Sequence, residues 1–194
     1  MDIERILKQF ETHYKKDWGI RSSPKQARKL IKQYQSIPLT LPITDESMKR
    51  VCEVLTIAGY KTFESCEGHH ETTPRIFLEC VSQYHLRHLT SILGGESRET
   101  NFPWDLRTYT GEVFVNPSSA LAYMLEPNLA LAKANPQNTQ DHQKMVDDLD
   151  IIGICTLRYF GSVDLKDLEE DRKKVDSRVR KFKIPNVPAD FFKK

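Results

Sequence analysis

The chain of 194 residues is long enough for one domain with an appendage, since domains usually contain about 100–150 residues. Its hydrophobic fraction of 39% and charged fraction of 29% provide for a core beneath a polar surface. No apolar stretch reaches the roughly 18 residues of a membrane helix, and no signal peptide is recognisable. The four cysteines are too few and too widely spaced for a disulfide scaffold. We therefore expect a cytoplasmic protein with reduced thiols and no membrane association.

The net charge of +2 is distributed unevenly along the chain. Residues 1–36 carry nine Lys and Arg against four Asp and Glu, and residues 161–194 carry ten against seven. The middle, residues 37–160, is acidic, with ten basic residues against sixteen acidic ones. Clustered positive charge attracts nucleic acid, so the loose clusters at the two ends predict weak nucleic-acid binding. The alternative is that the basic ends pack on the acidic middle or only balance its charge.

The first 36 residues are predicted to form an N-terminal helical hairpin. Apolar residues recur at helical spacing over residues 1–18 and again over 24–36, where Pro24 is a favourable first helical residue. The basic side chains on the polar face of the second helix form a candidate nucleic-acid patch. Its members are Lys25, Arg28, Lys29 and Lys32. Residues 37–43 contain two prolines and are predicted to be an extended connector to the main domain.

Residues 44–160 are predicted to form an α+β domain in which helices cover an antiparallel sheet. Its first helix, over 45–58, would be capped by Thr44 or Asp45. The other predicted elements are strands over 60–67 and 75–81, a helix over 83–93, strands over 104–109 and 112–116, and a helix over 138–160. Residues 118–135 suit a helix or a strand equally.

The C-terminal residues 161–194 contain a seam of mostly apolar residues spaced alternately by three and four, which predicts an amphipathic helix over 163–183. The seam is too short for an independent coiled coil. We therefore expect it to pack on the N-terminal helices, and a partner protein is the other way in which it would be covered.

The densest chemical pattern is the sequence TFESCEGHH at residues 62–70, where the first predicted strand ends. Strand alternation would place Thr62, Glu64 and Cys66 on one face. Such a face is too polar for a core and is typical of a solvated surface or a polar cleft. The segment therefore predicts a ligand-binding or active site on the hairpin of residues 60–81, with a small molecule as the candidate ligand.

One hypothesis for this site is bound zinc, because zinc takes Cys and His ligands in tetrahedral geometry. Cys66 and His69 have the short spacing with which a single turn supplies two ligands. The candidate ligands are Cys66, His69, His70 and Cys80. His85 and His88, one helical turn apart, are further candidates, although histidines beside an apolar stripe are more often structural.

Two other interpretations fit the same residues. In the first, Cys66, Glu67 and His69 are catalytic: the thiol is a nucleophile or proton donor, and Glu67 assists the imidazole of His69. In the second, Cys66 is a small buried residue and the histidine-rich turn is only solvated. The side-chain geometry around Cys66 distinguishes the three interpretations.

The same segment resembles a short motif of a known family. The pattern T-x-x-S-C-x-G, which starts at Thr62, is similar to the Ser-Cys-x-Gly turn of the tRNA wybutosine-synthesis methyltransferases, with His69 where that family has Arg. The resemblance covers residues 62–69 and implies an RNA-modifying role. No Gly-rich dinucleotide fingerprint and no P-loop is present in the sequence.

Two further patterns carry structural expectations. Asp147, Asp148 and Asp150 lie in the last helix of the main domain, where we expect a solvated face because buried carboxylates are costly. Trp104 is expected in the core and Arg107 at the surface. The alternative for these two residues is a stacking surface for a base or a sugar.

Overall fold

The computed structural model describes residues 24–43, 45–79, 85, 89, 93, 100–108 and 122–160, and the statements below concern these residues. The helices predicted over 1–18 and 163–183 and the strand predicted over 112–116 lie outside them. Of the helix predicted over 83–93, the three described residues are helical and buried. They are His85, Leu89 and Leu93.

The described elements begin with two helices, continue with four strands and end with two helices. The helices are α1 (Pro24–Gln35), α2 (Glu46–Ile57), α3 (Leu129–Ala132) and α4 (Thr139–Phe160). The strands are β1 (Lys61–Cys66), β2 (Arg75–Glu79), β3 (Trp104–Thr108) and β4 (Ala122–Pro127). The ambiguous segment 118–135 therefore contains both a strand and a short helix. No described helix is both long and apolar enough to cross a membrane.

The strands form one antiparallel sheet in the order β1-β2-β4-β3, which confirms the predicted α+β class. Helix α2 packs on β1 and on α4, and α1 packs on α4. Apolar side chains from the sheet and the three helices share one core. Its fully buried members include Tyr34, Met48, Leu55, Tyr60, Ile76, Leu78, Leu125 and Leu149.

Strand β3 pairs with β4. The sequence also predicts a tight hairpin between residues 104–109 and 112–116 across Thr110 and Gly111, and its second strand lies outside the described residues. Trp104, the first residue of β3, lies opposite Pro127, the last residue of β4. The expectation for this strand is confirmed, because Trp104 is buried and Arg107 is exposed. Arg107 forms ion pairs with Asp105 and Glu126 on the surface of the sheet.

Strand β1 does not alternate regularly, because its pairing with β2 shifts between Thr62 and Ser65. Thr62 lies opposite the buried Leu78, and Cys66 lies opposite Arg75. Since Leu78 and Arg75 are three residues apart on β2, they occupy opposite faces of the sheet. The prediction that Thr62 and Cys66 share a face is therefore wrong, because an irregularity of this kind inserts a residue into one strand.

The connector of residues 37–43 is held against α2 by side chains of that helix. The carboxylate of Glu53 accepts hydrogen bonds from the backbone N–H groups of Thr40 and Leu41. Arg50 donates to the carbonyl oxygens of Tyr34, Gln35 and Ile37 at 2.7–3.3 Å. Two charged residues of α2 thus fix the path by which the chain leaves α1.

The carboxylates of α4 correct the expectation of a solvated face. Asp148 is fully buried and Asp147 is 5% exposed. Asp148 accepts hydrogen bonds from four donor groups of the segment that leads into β3: the backbone and side-chain amides of Asn101 at 2.6 and 2.9 Å, the backbone of Phe102 at 3.1 Å and the indole of Trp104 at 3.0 Å. Burial raises the pKa of Asp148 to about 7 against the opposing effect of these donors.

Asp150 and Gly153 attach α4 to α1 through a single tyrosine. The hydroxyl of Tyr34 donates to Asp150 at 2.8 Å, and its ring lies against Gly153. A β-carbon at position 153 would lie 2.4 Å from Cε2 of Tyr34. Gly153 reduces the intrinsic stability of the helix, but its missing side chain is what allows α1 to approach α4.

Substituting Gly153→Ala tests this packing by the sign of its effect. We expect the free energy of unfolding to fall by about 1–3 kcal/mol, because the methyl group would overlap the Tyr34 ring. In an open helical position the same change would raise it by up to about 1 kcal/mol. Chemical denaturation measures the difference. In a Tyr34→Leu background the loss should shrink, and a stabilised single variant would contradict the close contact.

Candidate functional site

The turn that joins β1 to β2 has an uncommon backbone. Gly68, His69 and His70 have φ angles of 84°, 47° and 63°, so three consecutive residues are in the left-handed region. The carbonyl oxygen of Gly68 accepts from the N–H groups of Glu71 and Thr72 at 2.9 and 3.0 Å, which closes the turn. For residues other than glycine this conformation costs roughly 1–2 kcal/mol. The two histidines are therefore held in place at a cost to stability, which is common at functional sites.

Gly68 is the residue on which this turn depends. A β-carbon at this position would lie 2.1 Å from the carbonyl oxygen of Thr72. Both the positive φ and the lack of space exclude a side chain. The interpretation of Gly68 as a turning residue agrees with this geometry.

Asp45 occupies the N-cap position of α2 but does not cap the helix with its side chain. Its Oδ2 atom instead accepts a hydrogen bond from the backbone N–H of Glu67 at 3.0 Å. This contact joins the start of α2 to the end of β1, two segments that lie 22 residues apart in the chain. The second oxygen of the same carboxylate, Oδ1, lies 3.4 Å from Nε2 of His69.

His69 lies between two carboxylates. Its Nε2 atom faces Asp45, and its Nδ1 atom lies 3.4 Å from Oε1 of Glu67. The other oxygen of Glu67 accepts a hydrogen bond from the hydroxyl of Ser47, so this carboxylate is oriented by α2. The imidazole is 60% exposed, whereas Asp45 is 11% exposed. The site is thus open to solvent on the histidine side and anchored in the protein on the aspartate side.

Cys66 completes a cluster of three different donor types. The Sγ atom accepts a hydrogen bond from the N–H of Gly68 at 3.3 Å. One donor atom each from Asp45, Cys66 and His69 lies within 4.8 Å of the other two. Ligand atoms of tetrahedral zinc are about 3.3–3.7 Å apart, as follows from zinc–ligand distances of about 2.0–2.3 Å. The 3.4 Å between Asp45 and His69 matches that separation.

Only some of the predicted site residues lie in this cluster. Cys66 and His69 come together, and Glu67 lies beside His69 as the proposed assisting carboxylate would. His70 is not one of the three clustered residues, and Cys80 lies outside the described residues. The sequence does not mark Asp45 as a site residue, because its position before a helix has the simpler interpretation of a cap. No local signal links it to a strand end that follows 21 residues later.

His142 of α4 is a second residue that the sequence did not indicate. It is 3% exposed, and its ring lies 4.0 Å from that of His70, centroid to centroid, at an angle of 41°. Its Nδ1 atom is buried and has no hydrogen-bond partner among the residues that the structure describes. Burial lowers the pKa of His142, and the neighbouring His70 lowers it further. A buried imidazole whose Nδ1 has no hydrogen-bond partner among the described residues therefore lies beside the turn.

One further candidate, His85, and the buried Cys52 have structural roles. His85 is buried, its Nε2 lies 2.8 Å from the carbonyl oxygen of Ala58, and its ring contacts Tyr60 and Phe160. Cys52 is fully buried in α2, and burial raises the pKa of its thiol to about 11. His88, the helical neighbour of His85, lies outside the described residues. These residues do not extend the cluster around Cys66.

Comparisons with protein-family models, with curated proteins and with solved structures give no match to this chain. The similarity of residues 62–69 to the wybutosine-synthesis methyltransferases therefore stays a prediction. The candidate function follows from the geometry of the site.

A His69→Gly substitution measures the strain in the turn. At high ionic strength, which screens the contacts of His69 with Asp45 and Glu67, we expect the free energy of unfolding to rise by about 0.5–1 kcal/mol, because glycine adopts the left-handed region without cost. Lys133, with φ of 50° at the end of α3, is a matched position away from the site. Lys133→Gly should give a similar gain.

Denaturation curves of both variants measure the change in the free energy of unfolding. A loss of stability in His69→Gly alongside a gain in Lys133→Gly would show that the contacts of the imidazole outweigh its backbone strain. In that case the turn would be a stabilising feature and the strain argument for a functional site would fail.

Proposed function

We propose that this protein binds a zinc ion through Oδ1 of Asp45, Sγ of Cys66 and Nε2 of His69. The observation that supports the proposal is that one ligand atom from each of these three residues lies within 4.8 Å of the other two. A carboxylate, a thiolate and an imidazole are the three side-chain ligand types of zinc sites. Calcium and magnesium take oxygen ligands, so a site with sulfur and nitrogen favours zinc over them.

The other polar atoms of the ligands support the same assignment. Nδ1 of His69 faces the Glu67 carboxylate, which is the arrangement that orients a metal-binding histidine and makes it more basic. Oδ2 of Asp45 is occupied by the N–H of Glu67, so Oδ1 is left for the metal. The N–H of Gly68 donates to Sγ of Cys66 and would stabilise a thiolate there.

Three protein ligands leave one position of a tetrahedral ion for an exogenous group. Structural zinc sites use four protein ligands, whereas catalytic sites keep one position for water or substrate. The 60% exposure of His69 gives a small molecule access to such a position. The proposal therefore includes a small-molecule ligand, as the sequence predicted for this hairpin.

The alternative of a Cys66 nucleophile with His69 as its base has less support. Both ring nitrogens of His69 face carboxylates, at 3.4 Å each. A base for the thiol would need one of these nitrogens directed at Sγ. The zinc proposal accounts for both contacts. Nε2 of His69 and the nearby oxygen of Asp45 would both bind the metal, and Nδ1 of His69 would donate a hydrogen bond to Glu67.

Zinc titration of tag-free, chelator-treated protein tests the proposal. We expect one equivalent per chain, and at least about 100-fold weaker binding in each of Asp45→Asn, Cys66→Ser and His69→Ala. Glu67→Gln should weaken binding about tenfold, because it removes the orienting carboxylate but no ligand. With cobalt in place of zinc, a thiolate charge-transfer absorption should appear in the wild type and disappear in Cys66→Ser.

Matched controls separate the metal site from general effects of charge and folding. Glu46→Gln removes a carboxylate next to Asp45 that is 79% exposed and pairs with Lys49, and it should not change zinc affinity. All variants should keep the melting temperature of the metal-free wild type within a few degrees. Zinc binding unchanged in Cys66→Ser and His69→Ala would refute the assignment, and a marked loss of stability in Cys66→Ser would favour a structural thiol.

A second candidate function is weak nucleic-acid binding through α1. Its four basic residues are exposed, follow the helical spacing i, i+3, i+4, i+7 and line one side of an open groove. They are Lys25, Arg28, Lys29 and Lys32. A helix face of this kind can neutralise a few phosphates, so its binding would be weak and strongly dependent on salt.

Fluorescence anisotropy with generic RNA and DNA tests this second candidate. The logarithm of the binding constant should fall with the logarithm of salt concentration with a slope no steeper than about −4, as expected for four contacts. Replacing all four residues by alanine should abolish binding. Lys133→Ala together with Lys144→Ala, two exposed lysines elsewhere, should leave it unchanged. Tight binding that persists at high salt, or binding that survives the fourfold replacement, would exclude this surface.

A further inference from the structure

The buried imidazole of His142 has a property that ordinary packing does not explain. A buried polar atom without a hydrogen bond costs about 1–3 kcal/mol, and Nδ1 of His142 is the one buried side-chain nitrogen or oxygen in this situation within the described part of the chain. An apolar side chain of similar size would fill the same space without this cost, so packing alone does not explain a histidine at this position. Its unpartnered nitrogen can therefore take a hydrogen bond from a further group.

The position of His142 connects it to the proposed metal ligands. Its ring lies against that of His70, which directly follows His69 in the left-handed turn. His69 and Glu67 are both close enough to influence its protonation. The turn thus presents one histidine to Asp45 and the next histidine to α4, so that the three imidazoles line the same end of the hairpin.

We propose that the position of the zinc ion left free by Asp45, Cys66 and His69 takes an exogenous oxygen ligand, either water or the carboxylate of a small molecule, and that His142 hydrogen-bonds this ligand through Nδ1. The inference rests on the proposed zinc site. It adds the chemical class of the bound molecule and a residue from a separate element that recognises it.

Neutral imidazole suits both forms of the ligand. With Nδ1 unprotonated it accepts a hydrogen bond from a bound water, and in the other tautomer it donates Nδ1–H to a carboxylate oxygen. Burial lowers the pKa of His142 and so favours the neutral ring that both roles require. His70 packs on the ring and fixes its orientation, which makes His70 a positioning residue.

Titration of the cobalt-loaded, full-length protein with acetate tests this inference. Acetate should change the visible absorption of the bound cobalt saturably in the wild type, because a carboxylate replaces water at the free position. We expect His142→Gln to bind cobalt with unchanged stoichiometry and acetate about tenfold more weakly. Lys144→Ala, an exposed change two residues away on α4, should behave as the wild type.

The exposed residue His70 provides a second variant that does not disturb the core. His70→Ala should also weaken acetate binding while cobalt still binds, because His142 loses the ring that orients it. If the cobalt spectrum of the wild type is instead the same at every acetate concentration, water or a protein group would hold the fourth position against carboxylates, and the carboxylate form of the proposal would be overturned. A pH-dependent spectrum that His142→Gln alters would then support the water form.

Two results would overturn the inference as a whole. In the first, neither His142→Gln nor His70→Ala changes the acetate affinity or the cobalt spectrum. That result would leave the zinc proposal intact. The other is a wild-type protein that binds neither zinc nor cobalt, which would remove the proposed function together with this inference. The stoichiometry of cobalt in the wild type therefore separates the two failures.

Discussion

The buried carboxylate of Asp148 is the contact on which the arrangement of sheet and helices depends. It receives the backbone N–H groups of Asn101 and Phe102 and the indole N–H of Trp104, all of them at 2.6–3.1 Å. Trp104 is the first residue of β3, so this one side chain fixes where the sheet begins relative to α4. Removing it would leave two buried donors, the N–H groups of Phe102 and of the Trp104 indole, without their acceptor, and an unsatisfied buried donor costs about 1–3 kcal/mol.

The same helix then determines where the site can form. His142 lies six residues before Asp148 on α4, and its ring contacts His70 in the turn after β1. Asp45, at the start of α2, reaches the same turn through the backbone of Glu67. Since α2 and α4 pack against each other, both of these contacts are set by one helix pair. The site is therefore built on two helices and a strand end, although His69, with its exposed side chain, lies in a turn.

The sequence predicted what depends on local pattern. The spacing of Ala27, Ile31 and Tyr34 predicted α1, and that of Met145, Leu149 and Ile152 predicted α4, because a helix needs only its own residues to show an apolar stripe. The clustering of Cys66 and His69 was visible for the same reason, since both belong to one turn.

The missed features all depend on residues distant in the chain. Asp148 was expected in solvent because its donors lie 44–47 residues away, and a carboxylate has no sign in its own helix that it will be paired. Asp45 had a sufficient local explanation as a cap. The shift in β1 between Thr62 and Ser65 arises in the pairing with β2 and has no marker in β1 alone.

The left-handed turn links the two halves of the site physically. Consecutive residues in this conformation send their side chains in different directions, so His69 reaches Asp45 while His70 reaches α4. An extended or right-handed backbone at either position would break one of the two contacts. Gly68 makes neither of these contacts, because it has no side chain. Its role is to permit the turn. The strain at His69 and His70 is therefore the physical condition under which one short turn contributes to the Asp45–Cys66–His69 cluster and to the His70–His142 pair at the same time.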